Sequence, residues 1–164
     1  MPACVPTSAV VGIEAVPVQV EVDVARGAFG YETVGLPDLA VRESKQRIQA
    51  ALANANFEFP RERITVNLSP ADLRKEGTAL DLPIALGVLR ASKQLPPLSL
   101  SETLVVGELG LSGEVRPVRG VISMALMAVQ QGLSRVVIPR ANWREVRQLP
   151  GLQFIPVETL LETV

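Results

Sequence analysis

Alternating valines in the first part of the chain predict a β-strand. A valine occupies every second position from Val16 to Val24, and the residues between them are mostly polar. This period of two is typical of a strand with one buried and one exposed face, so we expect β-structure over residues 9–25. The turn-forming residues 26–30 and the short segment 31–34 then predict a hairpin, in which that segment pairs with the strand before it.

Helical spacing begins after this predicted hairpin. Val41, Ile48, Leu52 and Ala55 lie on one face of a predicted helix that begins within residues 35–38 and ends near residues 54–56. The short apolar run at residues 64–68 has the length and composition of a strand. A helix between two strands indicates that the sheet is not built from hairpins alone.

A second helix is predicted after residue 80. Its residues 84–89 are apolar on almost every side, so we expect it to be buried. Asp81 or Thr78 can cap its first turn, and Pro83 fits in that turn because no N–H is needed from it there. Residues 93–97 form a predicted linker.

Strands and helices alternate in the remaining sequence. We predict strands at 103–109, 135–139 and 152–156, a returning segment at 114–117, a helix at 120–131 ended by Gly132, and a helical turn at 157–163. Asn142 is expected to cap a short helix that extends to residue 148. Hairpins followed by alternating helices and strands predict an α/β fold with two layers (α+β), and 164 residues fit one domain spanning residues 1–164.

Composition narrows the possible classes of function. The chain is 48% hydrophobic, with a mean hydropathy of +0.28, which is enough for a real core, and its net charge of −1 is unlike that of a dedicated nucleic-acid binder. A local basic face still fits, because 16 lysines and arginines can be distributed unevenly. No apolar run is long enough to span a membrane and no secretory signal is present, so we expect a cytoplasmic protein that does not bind a membrane.

Several kinds of chemistry are excluded by missing residue types. The chain has no histidine and a single cysteine, Cys4, which excludes imidazole bases, histidine metal ligands, an internal disulfide and a cysteine-based zinc site within the chain. No Gly-x-x-x-x-Gly-Lys-Ser/Thr segment occurs, so the chain does not hydrolyse ATP through a P-loop. Glu108 and Glu114 flank a Gly-rich turn without a metal-ligand partner, and we interpret that block as structural.

The segment 73–83 has the layout of a catalytic motif. Lys75, Glu76 and Gly77 match the first three positions of the Lys-Asp-Gly-Pro-Ser-Ala-Gly signature that it resembles, which belongs to the Lon-type proteases. Thr78 takes the place of the proline, and Ala79 falls where the nucleophilic serine would be. A methyl group cannot attack a carbonyl, so the resemblance implies a motif without its nucleophile.

The second member of the Lon-type dyad is also replaced. In Lon the activating lysine follows a Pro-x-Gly-Gly-x turn, and the matching turn at residues 117–121 places Ile122 at the lysine position. Ser69 or Ser123 could lie near the altered site, but a serine hydroxyl without a base is a poor nucleophile. We therefore predict that this chain is not an enzyme, with residual serine hydrolase activity as a remote alternative.

Two longer blocks, residues 35–77 and residues 106–120 with 137–139, identify a closer resemblance. Together they resemble the N-terminal domain of the ComM/YifB proteins, a magnesium-chelatase-like AAA+ family; the first block is specific to that family, and the second is shared with RadA and Lon. The resemblance implies a Lon protease-like domain with the ribosomal protein S5 domain 2-like fold. It also implies an AAA+ ATPase module outside this chain that uses ATP and Mg²⁺, whereas the chain itself holds no cofactor. In that family the proteins form hexamers and act in DNA branch migration and recombination during natural transformation.

The implied partners are the protein's own ATPase module, neighbouring subunits and DNA. The candidate DNA or subunit contacts are Arg74, Lys75, Arg42 and Arg47, with Lys45, Arg61 and Arg63 completing a possible basic strip. The alternative for each is a solvated surface charge: Asp72 or Glu76 would pair with Arg74, and Glu43 with Arg47, the latter pair contributing only about 0.3–0.5 kcal/mol. A pure protein-interaction module that never contacts DNA also stays open.

Overall fold

Four strands form the larger sheet of the computed structural model, which describes residues 2–96 and 99–164. The order across this sheet is β1, β2, β4, β3. The strands are β1 (Ala3–Val11), β2 (Glu14–Ala25), β3 (Gly30–Val34) and β4 (Arg63–Ser69). The alternating valines of β2 place Val18, Val20 and Val22 in the core, as their spacing predicts.

The pairing of these strands corrects the predicted hairpin. The hairpin lies earlier in the chain, where a turn at Gly12 joins β1 to the antiparallel β2; the end of β1 and the whole of β2 fall within the segment predicted as continuous β-structure. Strand β3 does not pair with β2. It lies parallel to β4, with Tyr31 opposite Ile64, because the helix between β3 and β4 returns the chain to the same end of the sheet.

Two helices cover the buried face of this sheet. Helix α1 (Leu39–Asn54) begins after Asp38, whose side chain caps it, and Asn56 follows its end with a φ of +64°. Helix α2 (Asp81–Ala91) is buried from Asp81 to Leu89, which confirms the expectation from its apolar composition. Together with the inward residues of β2 and β4, these helices form the main hydrophobic core.

The predicted caps of α2 are wrong. Its N-cap position is Leu80, and no side chain bonds the first-turn N–H groups there. Asp81 bonds Arg47 instead, and Thr78 donates to Glu108. Both polar side chains are used for contacts between elements rather than for capping, whereas Pro83 does lie in the first turn as expected.

The second half of the chain forms a parallel sheet, a small hairpin and a second core cluster. The sheet is β5–β8–β9, the hairpin is β6–β7, and α3 packs beside them. The bounds are β5 (Thr103–Val105), β6 (Glu108–Leu109), β7 (Val115–Arg116), α3 (Val121–Gln130), β8 (Arg135–Pro139), α4 (Trp143–Val146) and β9 (Gln153–Val157), with 3-10 turns at Arg140–Asn142 and Leu160–Thr163. The α/β fold class is thereby confirmed.

Three local predictions in this half have different outcomes. Gly132 follows α3 with a φ of +74°, which confirms the predicted helix end. The predicted strand 103–109 is divided between two sheets, because β5 pairs with β8 and β6 with β7. Asn142 does occupy the N-cap position of α4, but its side chain does not bond the helix N–H groups; it accepts from the N–H of Val118 and donates to the Val118 carbonyl, both at 3.0 Å.

The predicted linker and the membrane-spanning potential of the helices concern only part of the chain. The predicted linker 93–97 includes Pro97, which lies outside the described residues. Within the described ranges, no helix is both long enough and apolar enough to cross a membrane.

Candidate functional site

A cleft of about 360 Å³ contains the altered motif. It lies where four parts of the chain meet: β1, the β6–β7 hairpin, the start of α3, and residues 73–80, which carry the altered motif and are called the motif loop below. Its lining is Ser8, Ala9, Val10, Glu76, Gly77, Thr78, Ala79, Glu108, Pro117, Val118, Arg119 and Met124. The two segments that resemble Lon-type proteases, residues 73–83 and 117–121, are therefore brought to one site, as their similarity implied.

The motif loop is held against the start of α1 by Asp38. One carboxylate oxygen of Asp38 accepts from the N–H of Val41 at 2.8 Å, and the other accepts from the N–H of Gly77 at 3.1 Å. Backbone bonds at 2.9 Å join Lys75 to Leu36 and to Asp38. Gly77 has a φ of +86°, which favours glycine at that position. The helix cap and the cleft wall thus depend on the same carboxylate.

Lys75 is not a surface cation, which corrects its selection as a DNA contact. Its side chain is 0% exposed, and its amine donates to the carbonyl oxygen of Pro70. Burial lowers the pKa of Lys75 from its ordinary value. An ammonium that faces inward cannot reach a phosphate, so Lys75 stabilises the motif loop instead of presenting charge.

Arg47 is also a structural residue in this arrangement. Its guanidinium donates to both carboxylate oxygens of Asp81, at 2.7 and 2.9 Å, and to the carbonyl of Ala40 at 2.7 Å. Asp81 is buried and also accepts from the N–H of Leu109 at 3.1 Å. The pair therefore joins α1, α2 and β6, and it replaces both the predicted pair with Glu43 and the predicted DNA contact through Arg47.

Burial and ion pairing have opposing effects on the pKa values of Asp81 and Arg47. Burial raises the pKa of Asp81 above its ordinary value, and the neighbouring Arg47 opposes this rise without cancelling it. The hydrogen bond to Asp81 raises the pKa of Arg47. For Asp81 the desolvation of its charge outweighs its attraction to Arg47, as is common for a carboxylate deep in a protein.

The two dyad positions carry only apolar side chains. Ala79 lines the cleft, and its carbonyl accepts from the N–H of Gly107 at 3.0 Å. Ile122 lies in the first turn of α3, and 48% of its surface is exposed. Neither Ser69 nor Ser123 belongs to the cleft lining, so the candidate substitute nucleophiles lie elsewhere.

Three polar groups of the cleft, Ser8, Thr78 and Glu108, already bond one another or the backbone. Thr78 donates to Glu108 at 2.7 Å, and Ser8 donates to the carbonyl of Val16 at 3.0 Å. Glu108 also lies 4.0 Å from Arg116 across the β6–β7 hairpin. The sequence indicates a structural role for Glu108, and no motif marks Ser8. Their proximity to the motif follows from strand pairing and has no local sequence signal.

The other candidate cations are not buried as Lys75 is. Arg42, Arg61, Arg63 and Arg74 are exposed. Arg74 lies 3.4 Å from Glu76, which confirms one of the two pairings considered for it. Lys45 is half-buried, with its ammonium nitrogen 5.1 Å from the ring centre of Phe29 and 5.7 Å from that of Tyr31.

Comparisons with known proteins identify relatives of the whole chain. A family model described as subunit ChlI of Mg-chelatase matches residues 20–142. The chain is 43% identical over 145 residues to YifB of Escherichia coli K12 and 42% identical over 162 residues to the competence protein ComM of Haemophilus influenzae Rd. It is also 29% identical over 126 residues to a Lon protease of Methanosarcina barkeri, which covers 71% of this chain and 15% of that protease.

These alignments cover most of this chain but only a small part of each relative. The YifB and ComM alignments include 88% and 99% of this chain, but only 28% and 32% of the relatives. The chain therefore spans less than a third of the length of either relative. Since both the family model and these alignments extend over most of its residues, the chain belongs to the Mg-chelatase ChlI family, in the group that contains ComM and YifB.

Proposed function

We propose that this chain is the non-catalytic, Lon-like N-terminal domain of a ComM-like AAA+ ATPase. It serves ring assembly and DNA handling during branch migration and recombination in natural transformation. One observation carries the proposal: the two segments that resemble Lon-type proteases line one cleft, while Ala79 and Ile122 occupy the sequence positions of the nucleophile and its base, and Ile122 lies outside the cleft lining. ATP and Mg²⁺ would act in an AAA+ module in the rest of the protein.

The physical basis of the non-catalytic role is the replacement of both members of the Lon-type dyad, the serine by Ala79 and the lysine by Ile122. Acyl transfer of the Lon type needs a serine hydroxyl beside a lysine amine that removes its proton. Ala79 offers no hydroxyl, and the Thr78 hydroxyl beside it donates to Glu108 in a contact that links the motif loop to β6. The loop is thus held by hydrogen bonds although neither dyad residue is present.

Arg42 and Arg74 are the cations through which we test DNA handling. Both are exposed, and the single contact of Arg74 with Glu76 on the surface is weak enough for a phosphate to replace. We expect the chain to bind DNA with micromolar affinity that falls as salt rises. Replacing both arginines with alanine should weaken binding and reduce the slope of log K against log salt by about 1.4–1.8.

The measurement is fluorescence anisotropy with single-stranded, duplex and forked DNA across a salt series. Arg144→Ala with Arg147→Ala is the matched control, because it removes the same charge from exposed positions near α4. An unchanged slope in the Arg42/Arg74 variant would exclude these two residues as phosphate contacts. Absence of binding at low salt would contradict the DNA-handling part of the proposal as a whole.

A second candidate function, a pure protein-interaction module, is favoured by one apolar surface. Ile122, Leu126 and Val129 follow one another at i, i+4 and i+7 on α3, and all three are exposed. The tip of the β1–β2 hairpin lies beside them, since Ser123 donates to the carbonyl of Ile13, and 89% of Ile13 is exposed. A contiguous exposed apolar surface is a common feature of subunit contacts.

Leu126→Asp tests whether this α3 surface is used in assembly. Half of Leu126 is exposed, so the substitution should leave folding intact while placing a charge in any subunit contact there. We expect the full-length protein with Leu126→Asp to sediment as smaller species than the unmodified protein at equal concentration. Leu111→Asp, at an exposed position in the β6–β7 turn, is the control, and equal effects of both would argue against an α3 contact.

A further inference from the structure

We propose that the turn between β2 and β3 is a binding site for single-stranded nucleic acid. One unstacked base would lie against the ring of Phe29, and the flanking phosphates would contact Arg26, Lys45, Arg61 and Arg63. This proposal rests on the proposed DNA-handling function and makes it specific: it names the form of the nucleic acid, and it adds the ring of Phe29 and the cation Arg26 to the residues already considered.

Strand pairing brings this turn and the arginines together. Strand β4 lies between β2 and β3, and Arg63 at its start is opposite both Ala25 and Gly30. The turn joins these two partners across the end of β4, so Arg26 and Phe29, each one residue further into the turn, lie just beyond Arg63 at this end of the sheet. The side-chain stem of Arg63 runs beside the turn, since a Cβ at Gly30 would lie 3.8 Å from its Cγ.

The ring of Phe29 is both exposed and held in place. Its exposed fraction is 53%, and its ring centre lies 6.5 Å from that of the half-buried Phe59. Phe59 in turn contacts Tyr31, at 6.0 Å between ring centres. The ammonium of Lys45 lies over Phe29 at 5.1 Å. An aromatic ring fixed by its neighbours at the surface, with a cation beside it, is the element on which single-stranded nucleic acids stack.

The cations around this ring have no protein countercharge. Among residues 2–96 and 99–164, no carboxylate forms an ion pair with Arg26, Lys45, Arg61 or Arg63, although Glu32, Glu58 and Glu62 are near them in sequence. Arg74, Arg116 and Arg140 each pair with a glutamate, whereas Arg42, Arg119, Arg144 and Arg147 are exposed without an ion pair to any described residue, so the feature specific to this turn is the ring beside its cations. Phosphates of a bound strand would supply the missing negative charge.

The exposed ring favours a single strand over a duplex or an acidic protein. Bases in a duplex stack on one another and present only their edges, so they cannot cover the ring of Phe29. An acidic protein segment would satisfy the cations but would gain little from a ring fixed among them. One exposed phenylalanine is common on protein surfaces, so the assignment depends on its combination with four unpaired cations.

The test is the affinity of the chain for fluorescein-labelled oligothymidylate, measured by anisotropy across a salt series. Phe29→Leu keeps an apolar side chain but removes the stacking surface, and we expect it to raise Kd about tenfold. Phe29→Tyr, which keeps the ring, should change Kd less than twofold. Arg61→Ala with Arg63→Ala should reduce the salt slope by about 1.4. Leu36→Ala, at a half-exposed leucine outside the turn, is the control and should have no effect.

A second readout reports the stacking directly. Phe29→Trp places an indole at the site, and its fluorescence should fall when oligothymidylate binds, against the background of Trp143 in the unmodified chain. Absence of quenching, or an unchanged Kd in Phe29→Leu, would overturn this proposal. If the chain binds duplex DNA but no single strand, the inference fails and the DNA-handling function stands. If it binds no DNA at low salt, both fail.

Discussion

Replacing Arg47 with methionine is expected to lower the free energy of unfolding by about 3–5 kcal/mol. The substitution keeps most of the side-chain volume but removes the donors to both oxygens of Asp81. Asp81 then keeps the N–H of Leu109 as its hydrogen-bond donor in a buried environment. A buried carboxylate without its cation is far less stable than one in water, so the loss exceeds that of an ordinary surface substitution.

The effect of Arg47→Met should depend on pH, and its sign follows from Asp81. Burial already raises the pKa of Asp81, and removal of Arg47 takes away the main influence that lowers it. A carboxyl group whose folded pKa is raised contributes stability that is fully present below its unfolded pKa and is lost as pH rises through the folded pKa. The variant should therefore regain stability as pH falls from neutral toward the ordinary carboxyl range.

Urea unfolding at a series of pH values measures both effects. Arg42→Met is the matched control, because Arg42 is exposed on the same helix and its replacement should change stability by less than about 0.5 kcal/mol. Adding Asp81→Asn to Arg47→Met should remove most of the pH dependence. A small, pH-independent loss in Arg47→Met would show that water reaches Asp81 and that the pair does not hold α1, α2 and β6 together.

Local signals predicted much of the fold. The start of α1 follows from Asp38 after a proline, which caps the helix as such residues commonly do. The burial of α2 follows from its composition, and the end of α3 from Gly132. These features depend on a few neighbouring residues, so one sequence is sufficient to identify them.

Longer-range features could not be predicted in this way. The parallel pairing of β3 with β4 depends on how α1 crosses the sheet, and no residue of β3 encodes it. Arg47 and Asp81 are 34 positions apart, so a local analysis pairs Arg47 with Glu43 instead. Lysines are rarely buried, so the sequence favours a surface position for Lys75, whereas the structure buries it.

The residues of the candidate site also divide into those with a local sequence signal and those without one. The positions of Ala79 and Ile122 could be read from motif spacing, because each motif is continuous in sequence. Phe29 and Arg26 have no such signal, because they lie in a turn without a motif. Their relation to Arg63 exists only once β4 separates β2 from β3. Sites that depend on strand order are the ones that sequence analysis of a single chain is least able to find.

Gly35→Ala is expected to be the second strongly destabilising substitution, with a loss of about 2–5 kcal/mol. Gly35 has a φ of +104°, a region that side chains with a Cβ rarely adopt. A Cβ there would also lie 2.1 Å from the backbone oxygen of Leu68 in β4. Backbone atoms of a central strand cannot move aside as a flexible side chain can, so the two penalties act together.

Gly12→Ala separates these two penalties. Gly12 has a φ of +65°, but a Cβ there meets no atom within 4 Å, so only the backbone penalty of about 1–2 kcal/mol applies. Thermal and urea unfolding of both variants give the comparison, and equal losses would show that the contact with Leu68 relaxes freely.

Because Gly35 leads into Leu36 and Asp38, which hold the motif loop by backbone and carboxylate bonds, its substitution should also displace Gly77. A shifted amide resonance of Gly77 in Gly35→Ala, but not in Gly12→Ala, would link the packing of β4 to the shape of the cleft.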